Sequence, residues 1–381
     1  IVNANSFSTT ISFEYGLTNA YGSVKSVPGS ISGANDQFIK ANLTGLLPHQ
    51  TYYYRIKAVN AKGTSYGAEM TFITGGSSNG STSSSNYHNI VLDSNGIVYT
   101  MGQNLYGQLG DGTSILRKVP VRVLKGAYPG TKYLGDNPAN PIVAVAAGGF
   151  HCLALAADGT LYSFGYNTDG QLGDGSTISK NLPVRVLKGS QYTGTTYLGD
   201  NPSNPMIAIT CGGYHSMAIA ANGSIYSFGN NNNGQLGDST GTDRTTPIRV
   251  KKGVYLGTNF IGDNPVNPVV SISAGAFSSL ILTADGAVHG LGFNGYGHLG
   301  DSSIINALTP VRTFKGEYNG NQFLGDNLVN PIVKVFNSIY HSLCLAYDGT
   351  VYSMGYNGYG ELGNGTSTNS ITPIKVIKGA Y

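Results

Sequence analysis

Apolar and polar residues alternate in short runs along most of this chain, the period of a half-buried β-strand. Between residues 142 and 186 the runs follow one another in a fixed order. Ile142-Val-Ala-Val-Ala-Ala147 is an apolar strand, closed by a Gly148-Gly149 turn. The next strand opens at His151 and places Leu153 and Leu155 on one face. Asp158-Gly159 suits a tight hairpin turn that needs positive φ, and Thr160-Leu-Tyr-Ser-Phe-Gly165 returns from it. A loop containing Gly170-Gln-Leu-Gly173 then leads to a Pro-Val-Arg-Val strand at 183–186.

This order recurs. Gly107, Gly170, Gly234, Gly297 and Gly360 open Gly-x-Leu-Gly segments spaced 63 or 64 residues apart. The hairpin pair recurs as Asn95-Gly96, Asn222-Gly223, Asp285-Gly286 and Asp348-Gly349. A fixed internal period decides architecture before any local motif does. One unit of about four short strands has the content of a propeller blade. Such a unit cannot bury both faces of its sheet alone, so neighbours must stack. The expected fold is therefore all-β, a β-propeller with five visible repeats over 86–381. The first unit lacks an apolar strand before Asn86, and the last stops at Lys378-Gly-Ala-Tyr381. Ring closure by strands from both chain ends leaves such a phase. The expectation is that more chain follows Tyr381 or that a neighbouring molecule supplies the remainder.

Gly148-Gly-Phe-His151, Asp158-Gly159, Tyr162-Ser-Phe-Gly165, and Asn167 with Gly170–Gly173 carry a further signal. Together they resemble the repeat of the family named after the regulator of chromosome condensation. The resemblance implies a propeller of typically about seven blades, of which the visible units are a part. It also implies a protein-binding ring, since that family includes a GTPase exchange factor and a β-lactamase inhibitor. A photoreceptor branch of the family needs a tryptophan cluster, and this chain has no tryptophan. One departure is an extra segment in each unit, such as Lys188 to Pro205. It recurs around Asp136, Asp263 and Asp326 and is expected to form an ordered loop on one rim.

Residues 1–75 read as a separate small β domain. Strands are expected at Ile11–Tyr15, Gln37–Leu43, Tyr52–Asn60 and Ser65–Thr74. Leu46, Pro48, Tyr52, Tyr54, Ile56, Ala58, Asn60 and Gly63 resemble a fibronectin type III domain whose N-terminal strands are missing. The resemblance implies that Tyr52 is the corner tyrosine tied to the upstream loop. Residues 76–85, rich in Gly and Ser, read as a flexible linker.

Charge narrows the function classes. Only 11% of the 381 residues are charged and the net charge is +3, which is not the basic stripe of a nucleic-acid binder. No run is long and apolar enough for a membrane-spanning helix, so membrane insertion is not expected. The three cysteines, Cys152, Cys211 and Cys344, read as small buried hydrophobes, with a Cys152–Cys211 disulfide as the alternative.

Four histidines, His88, His151, His215 and His341, hold one repeat position, with Ser278 in the fourth repeat. They are expected to hydrogen-bond blade backbone, a metal ring being the sharper reading that Ser278 disfavours. Asp136, Asp200, Asp263 and Asp326 are weak candidates for calcium, which favours oxygen ligands; shaping turns is the plainer role for Asp beside Gly. Tyr106, Tyr166, Tyr192, Tyr296, Tyr318, Tyr356 and Tyr359 form a candidate binding surface. No catalytic set or cofactor site is nominated. The first expectation for function is a secreted or cell-surface, bacterial, non-catalytic scaffold that forms a filament or adhesive layer. Its partners would be a protein, a glycan or copies of itself. The alternative is a soluble propeller that binds one protein partner, and a polysaccharide-active enzyme ranks third.

Overall fold

The computed structural model describes residues 2–34, 36–37, 39, 41, 43, 51–73, 81–85, 87–255 and 257–379. Two compact units divide the chain, Ile1–Asn79 and Gly80–Tyr381. Among the described residues every regular element is a strand.

The first unit holds β1 (Val2–Asn3), β2 (Thr9–Gly16), β3 (Ser23–Ile31), β4 (Asp36–Gln37), β5 (Thr51–Asn60), β6 (Gly63–Tyr66) and β7 (Met70–Ile73). Its main sheet has the order β3-β2-β5-β6, and β7 pairs with β5 as well. The alternation read from the sequence sets the register, with Ile11 opposite Ala58, Phe13 opposite Ile56 and Tyr15 opposite Tyr54. Arg55 and Lys57 flank Glu14 on this sheet, at 2.7 and 3.4 Å. Of the strand expected over Gln37–Leu43, the described residues place Gln37 in a strand, Asp36–Gln37, and residues 39, 41 and 43 outside one. Tyr52 is buried, but Leu46, Pro48 and the loop that its hydroxyl was expected to reach lie outside the described residues.

The second unit is five successive four-stranded antiparallel sheets. Blade one contains β8 (Ser81–Ser84), β9 (His88–Leu92), β10 (Val98–Gly102) and β11 (Arg117–Arg122). Blade two contains β12 (Ile142–Ala147), β13 (His151–Ala156), β14 (Leu161–Gly165) and β15 (Lys180–Arg185). Blade three contains β16 (Met206–Cys211), β17 (His215–Ala220), β18 (Ile225–Gly229) and β19 (Arg244–Arg249). Blade four contains β20 (Val269–Ala274), β21 (Ser278–Thr283), β22 (Val288–Gly292) and β23 (Ala307–Arg312). Blade five contains β24 (Ile332–Asn337), β25 (His341–Ala346), β26 (Val351–Gly355) and β27 (Ser370–Lys375).

Strand β8 corrects the sequence reading. Residues taken as linker pair with β9 from Ser81–Leu92 to Ser84–Asn89, so blade one has its first strand. Main-chain ladder bonds, not apolar side chains, form it. The Ser83 hydroxyl also accepts the Ala147 amide of blade two at 2.9 Å.

The cores lie between blades, not within them. Strand two of each blade sends alternate side chains backward and forward. Cys152, Ala154 and Ala156 pack with Ile90, Leu92 and Val98 of blade one. Leu153 and Leu155 pack with Met206, Ala218 and Phe228 of blade three. Blades three and four, and four and five, share equivalent clusters. Each blade is thus stable only as a neighbour, which is why the repeat had to be read first.

One buried asparagine organises each long loop. In blade two, Asn167 donates through Nδ2 to Asp174 Oδ1 (3.1 Å) and to the Ser176 carbonyl (3.0 Å), and its Oδ1 accepts the Leu172 amide (2.8 Å). Asn104, Asn231, Asn294 and Asn357 repeat this arrangement. The Gly-x-Leu-Gly openings at Gly107, Gly170, Gly234, Gly297 and Gly360 all have positive φ, between 77° and 87°. In the first four, a Cβ would also strike strand four of the next blade, as at Gly107 against Asn181.

Candidate interaction surface

The repeated histidines do not converge on a metal site. His88, His151 and His215 reach sideways into the next blade. His88 Nε2 lies 3.1 Å from Cys152 Sγ, His151 Nε2 lies 2.9 Å from Ser216 Oγ, and His215 Nε2 lies 2.8 Å from Ser279 Oγ. The partner is therefore a side chain of the following repeat, not the blade backbone that the sequence suggested. Ser216 donates its own proton to the Gln171 carbonyl at 2.9 Å. That assigns the other proton to His151 Nε2. Burial pushes His88 down to about 4 and His151 and His215 to about 3. All three imidazoles are neutral staples near neutral pH. His341, in blade five, has no such partner among the described residues.

The four candidate calcium ligands lock loops instead. Asp136 accepts the amides of Thr131, Lys132 and Tyr133 at 2.7–2.9 Å and the Thr131 hydroxyl at 2.6 Å. Burial raises its pKa, but the Thr131 hydroxyl and these amides outweigh that and hold it at about 2. Asp200 and Asp326 sit in the same amide cradles, and Asp263 adds an ion pair with Arg249. A carboxylate already facing several N–H groups is the reverse of a cation site. Among the described residues no three His, Cys, Asp or Glu side chains gather as a metal set. The three cysteines are buried free thiols.

Two of the tyrosines also change role. Tyr192 and Tyr318 are 3% and 2% exposed and cannot contribute to a surface. Their hydroxyls donate to the carbonyls of Asn204 (2.8 Å) and Asn330 (2.5 Å), pinning the extra segment. Their rings stand edge-on against Tyr226 and Tyr352 of the next blade. Tyr128 and Tyr255 do the same in blades one and three.

The remaining tyrosines join a feature that the sequence reading missed. The residue before the histidine position is aromatic in every repeat: Tyr87, Phe150, Tyr214, Phe277 and Tyr340. Phe150 stacks on Tyr87 at 4.7 Å and meets Tyr106 edge-on at 5.5 Å. Tyr106 touches Tyr166 at 4.7 Å, and Tyr166 and Phe150 both reach Tyr214. Tyr214 in turn meets Phe277. A second string joins Phe293, Tyr296, Tyr340, Tyr356 and Tyr359. Between them, blade three carries Asn230 where both neighbours carry a ring, Tyr166 and Phe293, and Asn233 where blade four carries Tyr296. Most of these rings are half-exposed, and Tyr87 and Tyr359 are 50% and 91% exposed. The second string edges a cavity of about 370 Å³ that Ile339, His341 and Glu361 also line. The recurring aromatic before each histidine was the signal that could have found this surface.

The chain is similar to several known proteins. The ultraviolet-B receptor UVR8 of Arabidopsis thaliana is 27% identical over 292 residues, covering 76% of this chain and 56% of the receptor. The probable E3 ubiquitin-protein ligase HERC3 of Homo sapiens is 32% identical over 239 residues, covering 62% of this chain and 19% of the ligase. The chain thus spans about half of the first relative and a fifth of the second. The crystal structure of human WBSCR16 superposes with a TM-score of 0.62 at 19% identity, covering 98% of this chain and 94% of that one; it is a likeness of fold. Two stretches, 95–155 and 81–108, match the regulator of chromosome condensation (RCC1) repeat. Residues 130–380 match the RCC1-like domain, and the chain belongs to that family.

Proposed function

We propose that the blade unit is a non-catalytic scaffold that binds one protein partner through its aromatic face. The observation that carries this reading is the half-exposed string Tyr87–Phe150–Tyr106–Tyr166–Tyr214. Interior polar groups are spent on stapling blades, whereas these rings have area left over. Large rigid aromatics are what a recognition surface uses, because they bury much area at little entropic cost. Relatives named as a receptor and as a ubiquitin-protein ligase carry the domain, which supports recognition over chemistry. None of these names supports the secreted scaffold, filament or glycan-binding role expected first from the sequence. For the N-terminal unit we retain the fibronectin type III-like reading, supported by the sheet order β3-β2-β5-β6 and by buried Tyr52.

Affinity capture from the source organism, with the whole chain as bait, tests the partner reading. The wild type should retain one stoichiometric protein. Replacing Tyr106 and Tyr166 together by Ala should weaken capture by roughly 30-fold, the loss typical of an aromatic hot spot. Val266→Ala, in an exposed rim segment, should leave it unchanged. Undiminished capture by the double variant would refute the assignment of this face.

A further inference from the structure

The seam between blades two and three holds two carboxylates where the following seam holds two amides. Asp169 precedes the Gly170-Gln-Leu-Gly173 segment of blade two, and Asp243 precedes strand four of blade three. The seam brings these positions together, since a Cβ on Gly170 would strike Arg244 and Thr245. Between blades three and four the same two positions are Asn233 and Asn306. There Asn306 Nδ2 donates to Asn233 Oδ1 at 3.0 Å, a neutral contact with a donor and an acceptor. Two ionised carboxylates cannot reproduce it, because neither carries a donor and their like charges repel.

No base of the chain offsets the pair. Asp111, Asp174 and Asp238, on the same long loops, pair with Arg117, Lys180 and Arg244. Among the described residues Asp169 and Asp243 have no ion-pair partner. Asp243 spends Oδ1 on the Asn231 amide at 2.7 Å. Burial, and after it Asp243, raises the Asp169 carboxyl above its ordinary range, against the lowering effect of Asn230. The pair stands among the rings of the aromatic face. Asp169 follows Tyr166 by three residues, and it adds, with the neighbouring phenols, to the burial that raises Tyr214. The Gln171 amide lies fully buried at the same turn, its Oε1 accepting the Asp169 main-chain amide at 3.1 Å. Its Nε2 is unpartnered among the described residues, whereas Gln235 Nε2 in blade three donates to Asn230 at 2.7 Å.

We propose that this seam seats an arginine side chain of the protein partner, inserted between Asp169 and Asp243 beside Tyr166 and Tyr214. The inference rests on the partner reading above and names the chemistry that the aromatic face recognises. A guanidinium is planar and donates through a fork, so it can bridge the two carboxylates and relieve their repulsion. Its flat face stacks on tyrosine rings, where a cation is attracted by the ring quadrupole. A lysine ammonium is a point charge without that planar fork, and it fits the pair less well. Apolar residues flank the arginine in the partner. The rings of the face lie to either side of the seam, and Ile178, on the same long loop as Asp169, is 67% exposed.

Selection of random peptides displayed on phage, with the whole purified chain as bait, tests it. The retained peptides should share an arginine flanked by apolar residues. One such peptide, synthesised and titrated by fluorescence polarisation, should lose roughly 30-fold in affinity when citrulline replaces the arginine. Asp169→Asn combined with Asp243→Asn should cost the arginine peptide as much and leave the citrulline peptide unaffected, the signature of coupled sites. This double variant should fold with a thermal midpoint no lower than the wild type. Asn306 and Asn369 already accept the amides equivalent to that of Asn231, at 2.9 and 2.8 Å. Retained peptides that lack arginine, or a selection that retains none, overturn the proposal. So does calcium chloride that raises the midpoint of the wild type but not of the double variant, since the pair would then seat a metal ion. Peptides without arginine whose binding is lost on replacing Tyr106 and Tyr166 by Ala would overturn the arginine seat and leave the aromatic face standing. Arginine peptides that bind that tyrosine variant undiminished would support the carboxylate seat and refute the aromatic face.

Discussion

Blades two and four solve one packing problem with different residues. In blade two the imidazole begins strand two, and His151 reaches Ser216 of the next blade. In blade four Ser278 begins that strand, and the imidazole comes from His298 in the Gly-x-Leu-Gly loop, where blade two has Gln171. His298 Nε2 lies 2.9 Å from Ser278 Oγ within the same blade. The crossing to blade five passes to Asn337, whose Nδ2 donates to Ser278 at 2.9 Å, and to Ser342, which donates to the His298 carbonyl at 2.7 Å. A second exchange accompanies the first. Ser163 donates to the Leu172 carbonyl at 2.7 Å. Its equivalent in blade four is Gly290, and Thr313 on the neighbouring strand end donates to the Leu299 carbonyl at 2.8 Å instead. What the interface requires is a buried neutral ring and a donor to each loop carbonyl, since an unpaired buried polar group is costly. Which residue supplies them is open to exchange.

Acid should break this arrangement most strongly, in both kinds of blade. Burial lowers His88, His289 and His298 to about 4 and His151 and His215 to about 3. The unfolded chain binds protons below its histidine pKa of about 6.5, while the folded chain refuses them until lower pH. Their contribution to stability is therefore complete above about 6.5 and is lost as pH falls from there toward 4. Each histidine contributes a slope of about 1.4 kcal/mol per pH unit inside that window. The lowered aspartates, such as Asp136, keep their contribution in full above their unfolded value near 4 and lose it only below that, outside this window. Thermal midpoints measured between pH 7 and pH 5 should fall steeply. A flat profile over that range would contradict the neutral staples.

Removing one staple should have a smaller effect, and its size should depend on whether the ring holds a cross-blade bond. His215→Ala deletes a fully buried ring, leaves a cavity and takes from the Ser279 oxygen its imidazole donor, leaving it only the long 3.5 Å bond to the Gln235 carbonyl. A cost of about 3 kcal/mol is expected from lost packing and the lost hydrogen bond. His341→Ala removes the same residue type from the same repeat position, but its ring is half-buried and unpaired among the described residues. Below about 1 kcal/mol is expected there. Denaturant midpoints of the two variants decide the matter, and equal losses would mean that the cross-blade bond is not what the histidine provides.

Much of this architecture was readable because the repeat is a length rule. The Gly-x-Leu-Gly spacing and the hairpin pairs placed strands two and three of every blade. Strand β8 was not readable, because Ser81–Ser84 belongs to the ladder by position and carries no hydrophobic pattern. The aspartate loops were misjudged for a different reason. The partners of Asp200 are backbone amides three to five residues away, and a sequence does not display which way an amide points. Tyr192 and Tyr318 looked like their exposed counterparts because residue type does not encode depth. Their recurrence a fixed distance before an Asp-Asn pair was the available clue to an anchoring role. The histidine partners were hidden because they lie 64 or 65 residues away. Yet Cys152, Ser216, Ser279 and Ser342 each follow the histidine position, so the pairing is legible once one blade is known to lean on the next.

The exchange in blade four can itself be reversed in part. Ser278→His alone adds a second ring beside His298, at a position that is fully buried. Overpacking of this kind costs typically about 2 kcal/mol. His298→Gln alone removes the ring and leaves Ser278 with Asn337 as its side-chain partner, a loss of about 1–2 kcal/mol. Together the two substitutions rebuild the residue pair of blade two. The imidazole then starts strand two, within reach of Ser342, and a glutamine amide takes the loop place that Gln171 holds in blade two. The double variant should recover most of either loss, so the coupling between the two sites should be favourable by about 1–2 kcal/mol. Recovery should stay incomplete, because Asn337 keeps an amide in the space where Ala147 and Ala274 leave room. Adding Asn337→Ala should then restore the remainder. Strictly additive losses in this double-mutant cycle would show that the two rings occupy unrelated sites, and that the likeness between blades two and four ends at their backbones.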